Sequence, residues 1–125
     1  MEASENAKYR ILVVDDEPTV CKAIQMMLKF YGHEVQTAAD GAAALALFET
    51  GHFDLVITDY LMPEMKGDQL VAQMKQRQPK QRIIMATAFA EDFLTPGKPI
   101  GGVEHVLTKP FSLEDLRAAI AKVMA

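Results

Sequence analysis

The stretch Ile11-Leu-Val-Val-Asp-Asp-Glu-Pro18 decides the fold class of this 125-residue chain. It begins with an apolar run that lacks polar alternation, which is typical of a strand buried on both faces in a parallel sheet. Two aspartates follow the run directly, and Pro18 occupies a position that the first turn of a helix tolerates. The order of strand, acidic loop and helix start predicts a βα unit.

The same alternation of strand and helix patterns continues to the end of the chain. Asp40 and Ser112 are typical N-cap residues, and Gly32 and Gly51 are typical of the position just beyond a helix. Short runs rich in β-forming residues separate the helical patterns, at residues 9–14, 34–38, 55–59, 82–87 and 106–108. Strands that alternate with helices predict an α/β fold with a parallel sheet.

The segment between the fourth and fifth predicted strands breaks this regularity. Residues 95–102 contain two prolines and three glycines, and both residue types disfavour a helix interior. We therefore expect a short or irregular helix at this position. A chain of 125 residues with 50% hydrophobic content suffices for one core. We expect one domain at residues 9–125, preceded by a flexible N-terminal segment at residues 1–8.

Composition and charge argue against several classes of protein. The formal net charge is −4 and no run of Lys and Arg occurs, so we expect no direct nucleic-acid contact from these residues. The apolar stretches are strand-sized, and the N-terminus lacks the basic start and apolar stretch of a signal peptide. We therefore expect a soluble, cytoplasmic protein without membrane contact. The single cysteine, Cys21, lies on an apolar helical face and is interpreted as a packed core residue.

Polar side chains collect where the predicted strands end. Asp15 and Asp16 follow the first strand, and Asp59 ends the third. Thr87 ends the fourth strand, and Lys109 follows the fifth. In an open α/β sheet, ligands bind beyond the carboxyl ends of the strands, so we expect these residues to line one crevice. Three neighbouring carboxylates repel one another unless a hard cation is bound, which predicts a Mg²⁺ site.

Four motifs carry a resemblance to a known family across nearly the whole chain. They are Val13–Pro18, Leu55–Pro63 with Gly67, Ala86–Ala88 and Thr108–Phe111. In their order and spacing they resemble the receiver domains of response regulators in two-component signal transduction, including the chemotaxis regulators. The resemblance implies a flavodoxin-like three-layer sandwich of five βα units, with a parallel five-stranded sheet of order 2-1-3-4-5.

The resemblance also implies a role for each polar residue of the crevice. Asp59 would accept a phosphoryl group from a histidine kinase or a phosphotransfer protein, and Thr87 and Lys109 would each bind a phosphoryl oxygen afterwards. Mg²⁺ would be held by the carboxylates of Asp15, Asp16 and Asp59 and by the backbone carbonyl of Leu61. Such a domain assists its own phosphotransfer and dephosphorylation but is not a turnover enzyme. It switches a surface that binds a downstream output domain or protein.

Three alternative functions use a similar sheet or similar chemistry. A flavodoxin-like FMN-binding protein needs a neutral or hydroxyl-rich loop after the first strand, and the acidic stretch Asp15–Glu17 would repel the flavin phosphate. Phosphohydrolases of the haloacid dehalogenase type place a second acidic residue two positions after the nucleophile, where this chain has Leu61. A phosphorylation-independent receiver-like interaction module is the third alternative, and the complete set of polar residues argues against it.

The chain departs from the family at a position that affects switching. The family commonly carries Tyr or Phe three residues before the lysine, and this chain has Val106 there. A ring that swings inward on activation is therefore missing. We expect the segment at residues 91–102 to act as the switching element instead, because its prolines and glycines deny it a continuous hydrogen-bonded helix.

Overall fold

Five strands and four helices are present in the computed structural model, which describes residues 7–88 and 101–125. The strands are β1 (Arg10–Val14), β2 (Glu34–Ala38), β3 (Leu55–Thr58), β4 (Arg82–Thr87) and β5 (His105–Thr108). The helices are α1 (Pro18–Phe30), α2 (Gly41–Thr50), α3 (Gly67–Arg77) and α4 (Leu113–Met124). None of these helices has the length and hydropathy of a membrane span. Three predicted segments lie mostly outside the described residues: the irregular helix at residues 95–102, the switching segment at residues 91–102 and the N-terminal segment at residues 1–8.

The strands form one parallel sheet, as the sequence predicts, in the order β2-β1-β3-β4-β5 that the resemblance to receiver domains implies. The chain adds β2 on one side of β1 and all later strands on the other side. The strand order therefore reverses between β1 and β3. In open α/β sheets, this switch point forms a crevice beyond the carboxyl ends of the strands, and ligands bind there.

Two hydrophobic cores lie on opposite faces of the sheet. One core packs α1 and α4 against the sheet, and the other packs α2 and α3. β1 contributes to both, since Ile11 and Val13 enter the first core and Leu12 and Val14 enter the second. Successive side chains of a strand point to opposite faces. Burial on both faces explains why the apolar run of β1 shows no polar alternation.

Capping residues begin two helices, and a glycine follows a third, where the sequence predicts. Asp40 accepts the backbone N–H of Ala43 at 2.7 Å, and Ser112 accepts that of Asp115 at 3.0 Å. Gly32 follows α1 with a φ of +91°, a left-handed conformation that favours glycine. The predicted and observed ends of β1, β3 and β5 differ by one residue, which is the ordinary uncertainty of element boundaries.

Candidate functional site

β1 and β3 place Asp15 and Asp59 side by side. The two strands pair in parallel up to Val14 and Thr58, and the next residue of each is an aspartate. The backbone N–H of Asp59 donates to the carbonyl of Val14 at 3.0 Å, and that of Asp15 donates to the carbonyl of Ala38 at 3.1 Å. The sheet itself therefore fixes both aspartates at the point where the strand order reverses.

The three predicted carboxylates form one cluster. One oxygen from each of Asp15, Asp16 and Asp59 lies within 4.8 Å of the other two. Asp15 is 2% exposed and Asp59 is 9% exposed, whereas Asp16 is half-buried. Asp15 also accepts the backbone N–H of Glu17 at 2.9 Å, which orients its carboxylate. Clustered carboxylate oxygens are ligands that Mg²⁺ prefers, so these residues fit the ion that the sequence predicts.

Lys109 reaches the cluster from the end of β5. Its Nζ donates to Asp15 Oδ2 at 2.6 Å and to Asp59 Oδ2 at 3.1 Å. Its backbone N–H donates to the carbonyl of Thr87 at 2.9 Å, and the Lys109–Pro110 peptide bond is cis. None of the three charged side chains is more than 13% exposed. The ammonium is therefore shared by two carboxylates in a place where salt and water screen charges weakly.

The cluster carries more negative than positive charge. Burial raises the pKa of Asp59, and the charge of Asp15 adds to this shift, although Lys109 opposes it. Burial alone would lower the pKa of Lys109, but the hydrogen bond to Asp15 and the charges of Asp59 and Asp15 raise it above its ordinary value. Burial thus favours the protonated form of Asp59, whereas Asp15 and Asp59 favour the protonated form of Lys109. Such a site favours an additional cation.

The remaining predicted site residues, Thr87 and Leu61, lie at the same edge of the sheet. Thr87 ends β4, is fully buried and pairs with Thr108 of β5. Leu61 lies in the loop after β3, two residues beyond Asp59, and is 43% exposed. The fold therefore brings every predicted site residue to the carboxyl ends of β1, β3, β4 and β5.

The loop at residues 60–66 folds tightly back on the end of β3. The backbone N–H of Tyr60 donates to Asp59 Oδ1 at 2.7 Å, and the N–H of Gly67 donates to the carbonyl of Tyr60 at 2.7 Å. A Cβ atom on Gly67 would lie 2.3 Å from the backbone oxygen of Asp59 and 2.9 Å from Tyr60 Cα. The close approach of two backbone segments therefore requires glycine at this position.

A second glycine contact near the site is not predicted by any motif of the sequence. Gly41 is the first residue of α2, and a Cβ atom there would lie 2.7 Å from Sδ of Met65 in the loop. The chain contains eight methionines, so Met65 carries no signal of its own. A glycine directly after the N-cap Asp40, where alanine would favour the helix more, is the sequence signal that could have identified this contact.

Comparison with known proteins places these features in a family. The response regulator receiver domain family matches residues 11–121. The chain is 35% identical over 118 residues to the alkaline phosphatase synthesis transcriptional regulatory protein PhoP of Bacillus subtilis, covering 92% of this chain and 48% of that protein. It is 39% identical over 122 residues to the probable transcriptional regulator ycf27 of Porphyra purpurea, covering 96% of this chain and 49% of that protein. The chain thus spans about half the length of these curated relatives.

Solved structures agree with the family match. Response regulator protein TrrA from Thermotoga maritima, in complex with Mg²⁺-BeF, is 31% identical with a TM-score of 0.84, over 94% of this chain and 99% of that chain. Chemotaxis protein CheY4 of Vibrio cholerae is 32% identical with a TM-score of 0.83, over the same shares of the two chains, 94% and 99%. Because the family match extends from β1 into α4 and includes the carboxylate cluster and Lys109, the chain belongs to the response regulator receiver family.

Proposed function

We propose that this receiver domain accepts a phosphoryl group on Asp59 and that the transfer depends on Mg²⁺. The observation that carries the proposal is the position of Lys109, whose Nζ donates to both Asp15 and Asp59. Asp59 is thus a nucleophile beside an ammonium, within 4.8 Å of two further carboxylates that suit a metal. An ammonium and a bound cation both stabilise the charge on a transferring phosphoryl group.

The proposed Mg²⁺ ligands are the carboxylates of Asp15, Asp16 and Asp59 and the backbone carbonyl of Leu61. When bound, the ion would neutralise and orient the phosphoryl oxygens. Asp15 suits this role because sheet pairing fixes its backbone and the N–H of Glu17 orients its carboxylate. The Mg²⁺-BeF complex of TrrA, at 31% identity, supports a metal in this site.

Transfer to Asp59 is proposed to be an in-line displacement. One Asp59 oxygen would form a bond to phosphorus while the bond from phosphorus to a histidine nitrogen of the donor breaks, and that nitrogen keeps the electron pair. Lys109 would then pair with a phosphoryl oxygen, and the Thr87 hydroxyl would donate to another. The chain would act as a phosphoacceptor that assists these steps, and not as a turnover enzyme.

The donor is proposed to be a histidine kinase or a phosphotransfer protein that docks beside Lys109. An apolar groove of about 470 Å³ lies there, between α1 and the segment before α4. Ala23 and Met27 of α1 line one side, and Pro110 and Phe111 line the other. An apolar groove beside the acceptor suits an amphipathic helix of the donor.

The downstream partner is proposed to be an output domain or a separate output protein. PhoP and ycf27 are named as transcriptional regulators, and this chain covers 48% and 49% of their lengths. Phosphorylation of Asp59 would then change a surface of residues 9–125 that the output partner contacts. We propose that this takes place in the cytoplasm. The net charge of −4 argues against direct contact of this domain with nucleic acid.

Labelling with acetyl phosphate tests the proposal. Intact mass spectrometry should show one added phosphoryl group with Mg²⁺, none in EDTA, and none on the Asp59→Asn protein. Asp54→Asn is the matched control, because Asp54 lies at the other end of β3, where it accepts the N–H of Arg10 at 2.9 Å. This control should be labelled like the wild type. Labelling of Asp59→Asn, or full labelling in EDTA, would contradict the proposal.

A further inference from the structure

The loop that follows Asp59 is held by packing as well as by hydrogen bonds. Near its start, Met62 is buried in the core of α2 and α3, with 7% exposure. At its end, Gly67 lies so close to the backbone of Asp59 that no side chain fits. A further anchor lies between these two, where Met65 packs against the start of α2.

Met65 fills a space that exists only because Gly41 has no side chain. A Cβ atom on Gly41 would lie 2.7 Å from Met65 Sδ, 3.0 Å from its Cβ and 3.1 Å from its Cγ. The sulfur could move away by a rotamer change, but the Met65 Cβ moves only with the backbone of the loop. Gly41 is itself fixed, since it is buried at the start of α2 directly after the capping residue Asp40. The two backbones therefore determine each other's position.

The backbone around Met65 is too tightly folded to absorb a displacement. The N–H of Met65 donates to the carbonyl of Pro63 at 2.7 Å, which closes a three-residue turn. Glu64, at the centre of this turn, has a φ of +70°. A non-glycine residue keeps this left-handed conformation only where its surroundings hold it there. A shift of Met65 is therefore passed along the loop towards Leu61.

We propose that Met65 is a positioning residue that sets the Mg²⁺ affinity of the site through its contact with Gly41. This inference rests on the proposed function, in which the Asp59 carboxylate and the Leu61 carbonyl are two of the ligands. Met65 contacts neither the ion nor the phosphoryl group. It holds the loop that begins at those two ligands, so that α2 supports the site without supplying a ligand.

Titration with Mg²⁺ alone, followed by NMR, tests the contact in a mutant cycle. Gly41→Ala should weaken binding about fivefold, and Met65→Ala should weaken it about threefold. Met65→Ala removes the contacts with Sδ at 2.7 Å and Cγ at 3.1 Å but keeps Cβ at 3.0 Å. In that background, Gly41→Ala should therefore weaken binding less than in the wild type, by about twofold.

A matched control adds a methyl at the other end of α2. A Cβ atom on Gly51 would lie 3.0 Å from the carbonyl oxygen of Leu47 and 3.1 Å from the ring of Phe53. Gly51→Ala should therefore lower stability while leaving the Mg²⁺ affinity within about twofold of the wild type. A merely structural role for Gly41 would make Gly41→Ala behave like this control.

The position of the loop can also be measured without metal. In the metal-free protein, Gly41→Ala should shift the amide resonances of Tyr60 and Leu61, and the shift should be absent for Gly51→Ala. If the Gly41→Ala protein does not fold, Met65→Ala decides the question, because it adds no bulk.

Two results would overturn the inference. One is a wild-type Mg²⁺ affinity in Met65→Ala. The other is an equal loss from Gly41→Ala with and without the Met65 side chain. Failure of the proposed function would look different, because the wild-type chain would then bind no Mg²⁺ or take no label on Asp59. Failure of this inference alone leaves the wild type labelled normally.

Discussion

The two ends of the sheet use polar side chains in opposite ways. At the amino end, side chains accept the backbone N–H groups that begin the strands. Examples among the described residues are the bonds from Arg10 to Asp54 at 2.9 Å, from Ile83 to Glu104 at 2.8 Å and from Tyr9 to His33 at 3.1 Å. Each bond satisfies a backbone donor where regular pairing begins. Polar residues at this end therefore stabilise the fold.

At the carboxyl end, polar side chains face one another instead. Lys109 lies between Asp15 and Asp59, and an oxygen of Asp16 lies within 4.8 Å of both carboxylates. Like charges held together in a buried site lower stability. Polar side chains thus stabilise strand starts at the amino end, whereas at the carboxyl end they form the charged cluster proposed to bind Mg²⁺ and a phosphoryl group. Substitutions at the two ends should therefore differ in sign, in size and in their response to Mg²⁺.

The largest effect is expected from removing the cation at the carboxyl end. Lys109→Met should destabilise the metal-free protein at pH 7 by about 3 kcal/mol, because it leaves two carboxylates buried without their counterion. Lys75→Met is the matched control at the amino end, where Lys75 donates to Glu104 at 3.1 Å and to the carbonyl of Gln81. That substitution should cost about 1 kcal/mol. Urea unfolding measures both changes.

The two lysine variants should also differ in how Mg²⁺ affects their stability. A bound cation supplies charge that Lys109→Met lacks, so the loss of stability in this variant should shrink in millimolar Mg²⁺. The loss in Lys75→Met should stay the same. Equal losses for the two variants in EDTA would show that charge imbalance does not control stability at the carboxyl end.

The next largest effect concerns the close backbone contact between Gly67 and Asp59. Gly67→Ala should destabilise the protein by about 2 kcal/mol, because its Cβ would lie 2.3 Å from the backbone oxygen of Asp59. Gly101→Ala is the control, since a Cβ atom there meets no atom within 4 Å among the described residues. The control should change stability by less than about 0.5 kcal/mol. A Gly67→Ala protein as stable as the wild type in urea would rule out the close approach.

A smaller effect of opposite sign is expected at Asp59. Burial and the charge of Asp15 raise the pKa of Asp59 despite Lys109, so the fold disfavours the ionised carboxylate. A carboxyl with a raised folded pKa loses its stabilising contribution as pH rises through that pKa. Asp59→Asn should therefore stabilise the metal-free protein by about 1 kcal/mol at pH 7, with the gain falling towards zero near pH 4. Thermal unfolding in EDTA checks this, and a less stable variant at pH 7 would mean that the ion pair outweighs burial.

The smallest effect concerns His33 at the amino end. Burial lowers the pKa of His33, whose neutral Nδ1 accepts the N–H of Tyr9 at 3.1 Å. The pKa of His33 is lower in the folded than in the unfolded protein. The stability that neutral His33 contributes is therefore present above about pH 6.5 and is lost as pH falls through the folded pKa. His33→Asn keeps a hydrogen-bond acceptor that does not titrate. When the pH falls from 7 to 5, the free energy of unfolding of this variant should therefore decrease by about 0.5 kcal/mol less than that of the wild type. His105 titrates in both proteins, so identical slopes would exclude this role for His33.

Local sequence patterns predict most of the fold and the residues that meet at the candidate site. The strand β1 and the N-caps Asp40 and Ser112 are predictable because each depends on residues that are close together in the sequence. The approach of Asp15 to Asp59 was also predictable, because parallel strands that meet at a switch point bring their carboxyl ends together whatever the loops do.

Contacts between distant segments were not predictable from the same patterns. His33 reads as an ordinary loop residue, and only the fold brings it to Tyr9, 24 positions earlier. The Gly41 contact with Met65 likewise joins two segments with no shared periodicity. Val106 lies in β5 opposite Met85, and the switching role predicted for residues 91–102 stays a prediction because residues 91–100 lie outside the described part of the chain.

The central place of β3 limits how the proposed acceptor Asp59 can move. All four residues of β3 are buried, and β1 and β4 flank the strand on both sides. Fraying of the edge strands β2 and β5 would leave β3 paired. We expect its amides to exchange with deuterium only through global unfolding, which makes them the slowest class in the protein. Asp59, the proposed phosphoacceptor, directly follows this strand, so we expect its backbone to move less than the loops around it.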